Sequence, residues 1–115
     1  MKKIEAIIRK TKFEDVKEAL HEVGIEFFSF WEVRGVGTAR ESRVYRGISY
    51  DTGTIERIIL SIIVRDINLE KTIKAIMETA KTGSVGDGKV FVSEIAESYR
   101  IRTGEKGDES LYVRD

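Results

Sequence analysis

Apolar residues recur along this chain at two spacings, which separate strand-like segments from helix-like segments. Residues 2–9 alternate between apolar and polar side chains, and this period of two predicts a strand. Residues 11–23 show helical spacing instead, with a Thr11-x-x-Glu14 capping box in front and Gly24 as the stop signal. The chain therefore begins with a strand followed by an amphipathic helix.

The middle of the chain predicts two strands separated by a polar segment. Residues 27–33 are rich in aromatic and branched side chains, and we expect Trp31 and the Phe27–Phe28 pair to pack in the core. Residues 55–64 form a near-continuous apolar run, which favours a central strand buried on both faces. Residues 38–54 lack sustained apolar periodicity, and so long a connection in a compact domain is usually functional or mobile.

The last part of the chain repeats the order of helix and strand. Asn68 can cap a second helix whose apolar stripe reaches Ala80, and a short strand runs through Val92. Residues 99–102 predict another strand, and the charged tail from residue 103 is expected to be partly mobile. The order β-α-β-β-α-β indicates an α+β, ferredoxin-like sandwich formed by one domain, residues 1–115.

Composition excludes several classes of protein and site. The chain has 115 residues, of which 41% are hydrophobic and 35% charged, so it can form one soluble domain with one core. A formal net charge of +0 gives no argument for binding nucleic acid or an anionic membrane. The absence of cysteine excludes disulfides, and one histidine cannot build a histidine-rich metal site. With no signal peptide and no apolar stretch near 18 residues, we expect a cytoplasmic protein without direct membrane insertion.

The glycine-rich segment at residues 82–92, TGSVGDGKVFV, carries the clearest candidate chemistry. Glycines allow backbone N–H groups to approach an anion, and Lys89 adds a positive charge, so the segment suits a phosphate. The spacing Gly83-x-x-x-x-Gly88-Lys89 imitates a P-loop, but Val90 replaces the magnesium-binding Ser or Thr and a strand follows instead of a helix. The alternative is a plain glycine-rich turn, which we expect Asp87 to shape through an Asx-type hydrogen bond.

Two arginines near the C-terminus supply a second cationic feature. On a strand, Arg100 and Arg102 would point to the same face, and two guanidinium groups suit a polyphosphate. The alternative is a solvated edge strand protected by its charges. Together with the glycine loop, the pair could neutralise the phosphate chain of ATP or ADP. No catalytic constellation stands out, since His21 has no nucleophilic partner at motif spacing.

Several separated blocks together resemble one family over nearly the whole chain, the PII nitrogen-regulatory signalling proteins. The blocks are MKKIEAIIR at residues 1–9, VKEAL at 16–20, EVRGVG at 32–37, YRG at 45–47, TGSVGDGKVFV at 82–92 and RIRTGE at 100–105. The resemblance implies a homotrimer that binds ATP or ADP in clefts between subunits and regulates without being an enzyme. It also implies a projecting T-loop, about residues 37–54, that engages an ammonium transporter or another target in nitrogen metabolism, and a C-terminal tail from about residue 103.

The resemblance assigns roles to individual residues of this chain. It places Gly86, Asp87, Gly88 and Lys89 on the family's phosphate-binding loop and Arg100 and Arg102 on its phosphate-contacting arginines. It places Gly35 and Gly37 at the base of the T-loop, and Ile7 and Ile63 at the adenine pocket. Arg57 matches a basic position that helps bind 2-oxoglutarate, Arg46 the arginine that plugs the transporter pore, and Tyr50 the tyrosine uridylylated in some relatives.

Departures from the family pattern concentrate in the T-loop. The segment is one residue shorter, and Ala39 or the gap replaces the glutamine that completes a magnesium ion shared by ATP and 2-oxoglutarate. Magnesium could still accompany ATP, but we expect weak binding of 2-oxoglutarate. Ser49 replaces the glutamate beside Tyr50, which leaves modification open. Two other functions stay open: a diverged PII-like sensor of another small molecule, and a small ferredoxin-like phosphohydrolase or ATPase.

Overall fold

The computed structural model describes residues 1–37, 42–45, 48–51 and 54–112. Short 3₁₀ turns cover Lys10–Lys12, Asp66–Asn68 and Gly107–Leu111. The helices and strands, in chain order, are β1 (Lys2–Arg9), α1 (Phe13–Glu22), β2 (Ser29–Gly35), β3 (Ser42–Tyr45), β4 (Ile48–Asp51), β5 (Ile55–Val64), α2 (Leu69–Ala80) and β6 (Gly88–Glu94).

Four of the strands form one antiparallel sheet in the order β2-β5-β1-β6. Both helices pack on one face of this sheet, so the predicted α+β, ferredoxin-like architecture is confirmed. The other face, which we call the open face, is covered by neither helix. The β3–β4 hairpin forms a separate two-stranded sheet between β2 and β5 in the chain.

The hydrophobic core lies between the helices and one face of the sheet. Alternation along β1 sends every second side chain into this layer, as the period of two predicts. Its fully or nearly buried members are Ile4, Ala6, Ile8, Val16, Leu20, Ile58, Leu60, Ile62, Val64, Ile76 and Ala80.

Strand β5 differs from its prediction because only one face of the sheet is covered within a single chain. Ile58, Leu60 and Ile62 are buried against the helices, whereas Ile63 on the open face is 36% exposed. The prediction of a strand buried on both faces is therefore wrong for this chain. The apolar run is continuous because β5 also carries apolar side chains on the open face, which the helices leave uncovered.

The aromatic residues around β2 also depart from their predicted place in the core. Phe28 packs against the core, but Phe27 is 78% exposed and Trp31 is 42% exposed. Trp31 lies beside Ile59 on the open face, which neither helix covers, and Phe27 precedes the strand. Phe30 compensates in part by contacting Phe13 of α1, with ring centroids 4.5 Å apart.

Helix boundaries follow backbone geometry more than the predicted side-chain caps. A 3₁₀ turn precedes α1, and no side-chain cap bond forms at its start, so the Thr11 capping box is wrong. At the other end Gly24, at φ +85°, donates to His21 O, and Ile25 donates to Leu20 O. These two bonds are a Schellman motif, which confirms Gly24 as the stop signal. Asn68 does precede α2, but its side chain makes no cap bond.

The predicted strand at residues 99–102 is wrong, because the chain turns back on itself there. Arg100 N–H donates to Glu105 O at 2.8 Å, and Gly104 N–H donates to Arg100 O at 2.8 Å. Gly104 takes φ +76°, a conformation that glycine adopts readily, and it closes this turn. The tail expected to be partly mobile continues into the short 3₁₀ turn Gly107–Leu111.

Candidate functional site

A cleft of about 860 Å³ lies on the open face, where the end of β2 approaches the glycine-rich loop before β6. Strands β1 and β5 form its floor. The lining comprises Val33–Gly37, Ser84–Lys89, Ile7, Ile55, Arg57 and Ile59.

Most of the predicted site residues meet in this cleft although they are far apart in the sequence. Ladder pairing of β1 with both β5 and β6 brings them together, since Ile7 pairs with Ile59 on one side and Lys89 on the other. The predicted residues that line the cleft are Ile7, Gly35, Gly37, Arg57, Gly86, Asp87, Gly88 and Lys89.

The glycine loop depends on backbone conformations that other residues rarely adopt. Gly83, Gly86 and Gly88 have φ values of +90°, +98° and +103°. At Gly88 a Cβ atom would lie 1.7 Å from Ile7 O, so β6 can start beside β1 only with glycine there. The fold itself therefore demands this glycine.

Gly35 and Gly37 differ from Gly88 because the fold does not demand them. A Cβ atom at either position would meet the Ile55 side chain at 3.7 Å, an ordinary contact distance, and neither takes a positive φ. Both line the cleft opposite the glycine loop. The lack of a side chain at these two positions therefore keeps the cleft open, and local backbone geometry does not require it.

Asp87 organises the start of the glycine loop. Its carboxylate accepts hydrogen bonds from Thr82 N–H at 2.8 Å, Gly83 N–H at 2.9 Å and the Thr82 hydroxyl. Arg9 Nε adds an ion pair at 3.1 Å. These bonds, led by the Thr82 side chain, hold the pKa of the Asp87 carboxyl well below its usual range. Asp87 shapes the loop as expected, but it bonds to residues before it, so the predicted Asx-type bond is wrong.

Two arginines bind the carbonyl oxygens of the same loop. Arg9 and Arg57 are directly opposite each other on β1 and β5. Arg9 Nη2 donates to Val85 O at 2.9 Å, and Arg57 Nη2 donates to Gly86 O at 3.0 Å. Arg57 is only 7% exposed and also donates to Glu56 O at 2.7 Å.

Sequence reasoning missed Arg9 as a functional residue. The alternation of β1 does place it on the open face at the strand's end, but this signal is weak alone. Only the strand register shows that Arg9 stands beside Arg57 and beneath the loop.

The loop leaves hydrogen-bond donors unused. Among the described residues, the N–H groups of Val85, Gly86 and Asp87 find no acceptor, and no carboxylate pairs with Lys89. Consecutive unpaired N–H groups beside a lysine form an anion-binding concavity. Within the described part of the chain, no three His, Asp or Glu side chains gather as metal ligands.

Three predicted residues lie outside the cleft of their own chain. Ile63 is on the open face but four residues along β5 from Ile59, roughly 13 Å away. Arg100 is held by its own C-terminal segment: it pairs with Glu105 at 3.2 Å and donates to Glu109 O at 3.0 Å and to Tyr112 O. Arg102 lies in the adjacent turn and also interacts with other groups of the protein.

The predicted T-loop contains regular structure. Strands β3 and β4 pair from Ser42 with Asp51 to Tyr45 with Ile48, in a segment whose sequence predicts no strand. Tyr50 lies on β4 opposite Arg43. Arg46 and Ala39 lie outside the described residues.

Comparisons with known proteins agree on one family. A family model described as nitrogen regulatory protein P-II matches residues 1–105. Nitrogen regulatory protein P-II of Azospirillum brasilense is 44% identical over 112 residues, which cover 96% of this chain and 100% of that protein. Nitrogen regulatory protein P-II 1 of Methanothermobacter thermautotrophicus is 46% identical over 114 residues, 96% of this chain and 97% of that one.

One solved structure extends the comparison to three dimensions. The GlnK-ATP complex of B. subtilis is similar to this chain with a TM-score of 0.77 and 34% identity, and 96% of each chain is covered. In the described residues no helix is both long and apolar enough to cross a bilayer. The range matched by the family model contains the cleft, the glycine loop, Arg100 and Arg102.

Proposed function

Because the chain belongs to the nitrogen regulatory protein P-II family, we propose that it is a nitrogen-regulatory signal transducer that senses ATP and ADP. The observation that carries this proposal is the glycine loop, with its unpaired N–H groups at residues 85–87 and Lys89 at one wall of the cleft. Such an array of donors suits a polyphosphate, because the Asp87 carboxylate nearby is already bound by Arg9, Thr82 and Gly83. Among the described residues that line the cleft, the one carboxylate, Asp87, is engaged in these bonds, so the proposed role is binding and not turnover.

The opposite part of the cleft suits a nucleoside. Ile7, Ile59 and Val33 give it an apolar surface on which a flat base can lie, while the glycine loop takes the phosphates. Gly35 and Gly37 leave room for close approach along the other wall. The ATP bound by the similar B. subtilis protein supports this choice of ligand.

The active form is proposed to be a homotrimer in which neighbouring subunits complete the nucleotide site. On the open face Trp31 is 42%, Phe91 49% and Ile63 36% exposed in the isolated chain, and such an apolar surface calls for a partner. Ile63, Arg100 and Arg102 lie away from their own chain's cleft, so in this proposal a neighbour supplies them. Docking there would require Arg100 to loosen its bonds to the C-terminal segment.

The T-loop, about residues 37–54, is the proposed target-binding element. It begins at Gly37 in the cleft, so phosphate binding can change its conformation directly. In this proposal Arg46 enters the pore of an ammonium transporter, or the hairpin docks on another cytoplasmic target of nitrogen metabolism. Tyr50 is the candidate for covalent modification, and Arg57 the candidate contact for 2-oxoglutarate.

Three measurements test the proposed function. Isothermal titration should give saturable binding of ATP and ADP and much weaker binding of GTP, with no ATP turnover in a parallel assay. Light scattering should give about three times 13.1 kDa at micromolar concentration. Absence of ATP binding would refute the nucleotide sensor, and sustained turnover would favour the ATPase alternative. A monomer would refute the shared site.

A further inference from the structure

The two arginines beneath the glycine loop determine more than the position of its carbonyl groups. In a trans peptide the C=O of one residue and the N–H of the next point in opposite directions. Arg9 holds Val85 O and Arg57 holds Gly86 O. The N–H groups of Gly86 and Asp87 therefore point away from both guanidinium groups, and neither has an acceptor among the described residues.

This orientation is not one that the loop would hold by itself. Gly86 has φ +98°, and glycine adopts positive and negative φ with similar ease, so the flanking peptides can flip at little cost. A flip would replace an N–H group by a carbonyl oxygen, which repels phosphate. Charge-assisted hydrogen bonds from guanidinium groups are strong enough to select one orientation.

Asp87 fixes the arginine that acts on the loop. Its carboxylate binds Arg9 Nε on one side and the N–H groups of Thr82 and Gly83 on the other. The Arg9 side chain is only 23% exposed, which limits its freedom further. Arg9 is not part of the cleft lining, so it acts through the loop and not by touching the ligand.

We propose that Arg9, fixed by Asp87, is a positioning residue that works with Arg57 to hold the glycine loop in its phosphate-binding peptide orientation. The proposal rests on the proposed nucleotide-binding function and adds a residue to it. In this proposal the affinity for phosphates depends on the arginine pair. The affinity for the nucleoside depends on the apolar surface of Ile7, Ile59 and Val33.

The test compares Arg9→Ala with Lys10→Ala in the full-length protein. Lys10 is the next residue, it is exposed, and it pairs with Glu32 at 3.0 Å, so its loss changes net charge equally without touching the loop. Isothermal titration would measure ATP, ADP and AMP at low and at high salt. We expect Arg9→Ala to weaken the binding of ATP and ADP about tenfold or more, and the binding of AMP by less than about twofold. Lys10→Ala should bind all three nucleotides with nearly the affinity of wild type.

Salt and a conservative variant distinguish positioning from simple loss of charge. A positioning effect persists at high salt, whereas a through-space charge effect is screened. Arg9→Lys keeps the charge, but one ammonium group cannot bind Asp87 and Val85 O in the geometry of a guanidinium group. We therefore expect its loss of ATP affinity to lie between those of wild type and Arg9→Ala. This variant also carries the test if circular dichroism shows that Arg9→Ala is unfolded.

The outcomes separate this inference from the proposed function. Wild-type protein that binds no ATP refutes both. Three results would refute the positioning role alone, provided that the wild-type protein binds ATP. Arg9→Ala could bind ATP within about twofold of wild type, it could lose affinity for AMP and ATP equally, or its loss of affinity could disappear at high salt.

Discussion

Replacing Gly88 by alanine should destabilise the fold far more than the same replacement at Gly83. Both glycines have positive φ, +103° and +90°. At Gly88 the new Cβ would lie 1.7 Å from the backbone oxygen of Ile7, whereas at Gly83 nothing lies within 4 Å. The two variants therefore share a conformational cost and differ in whether β6 can stay beside β1.

The magnitude follows from these two parts. An alanine at positive φ costs about 1–2 kcal/mol, which is the whole effect expected at Gly83. At Gly88 the first residues of β6 must also move away from Ile8 and Ile7, which breaks two or so ladder hydrogen bonds at about 1 kcal/mol each and opens the packing of Val90. We expect about 3–5 kcal/mol in total, a large share of the roughly 5–15 kcal/mol typical of a domain.

The free energies of unfolding of the two variants can be compared by urea denaturation. Circular dichroism and the fluorescence of Trp31, the chain's one tryptophan, monitor the unfolding. Protein concentration must be matched, because an oligomer's stability depends on it. Equal losses of free energy for Gly88→Ala and Gly83→Ala would refute the argument that close approach of β6 to Ile7 demands glycine.

Three further predictions concern charged side chains. Lys89→Ala and Arg102→Ala should each weaken ATP binding by about 1–3 kcal/mol and leave the proposed trimer intact in light scattering. If isothermal titration gives both variants the ATP affinity of wild type, the proposed site is wrong. Binding of 2-oxoglutarate with Mg-ATP should be weak, because Arg57 is buried and already donates to two carbonyl groups, and a low-micromolar affinity would contradict this. Hydrogen bonds from the N-terminal amine and from Lys2 lower the pKa of Asp66. Its contribution to stability is therefore present above its ordinary pKa and lost as pH falls through the lowered value, so Asp66→Asn should lower Tm at pH 7 and lose that effect in strong acid.

Local pattern was sufficient for the elements that pack against the core. The alternation in β1 and the stripe of α2 predict strand and helix because each buries one face, and the structure agrees. It failed at residues 99–102, where the chain turns back at Gly104, and it did not reveal the β3–β4 hairpin. Long-range register is absent from a single sequence.

The candidate site shows the same division. Glycine spacing and Lys89 identified the loop, because the glycines and the lysine charge lie within one short segment of the sequence. Arg9 escaped notice because its bond to the loop forms only when β1 pairs with β5 and the loop folds over both. Arg100 was identified by its charge, but its hydrogen bonds to the C-terminal segment could not be foreseen from the sequence.

Gly35 provides stronger evidence for a ligand than Gly88, although Gly88 belongs to the more recognisable motif. The fold needs Gly88 whether or not anything binds, whereas an alanine at Gly35 would only touch Ile55 at 3.7 Å. Gly35→Ala should therefore leave stability within about 1 kcal/mol of wild type or raise it slightly. It should still weaken ATP binding, because the added methyl group enters the cleft wall opposite the glycine loop. Thermal unfolding and isothermal titration on the same sample separate the two effects. A variant that loses stability and affinity together would mean that Gly35, like Gly88, is required by the fold.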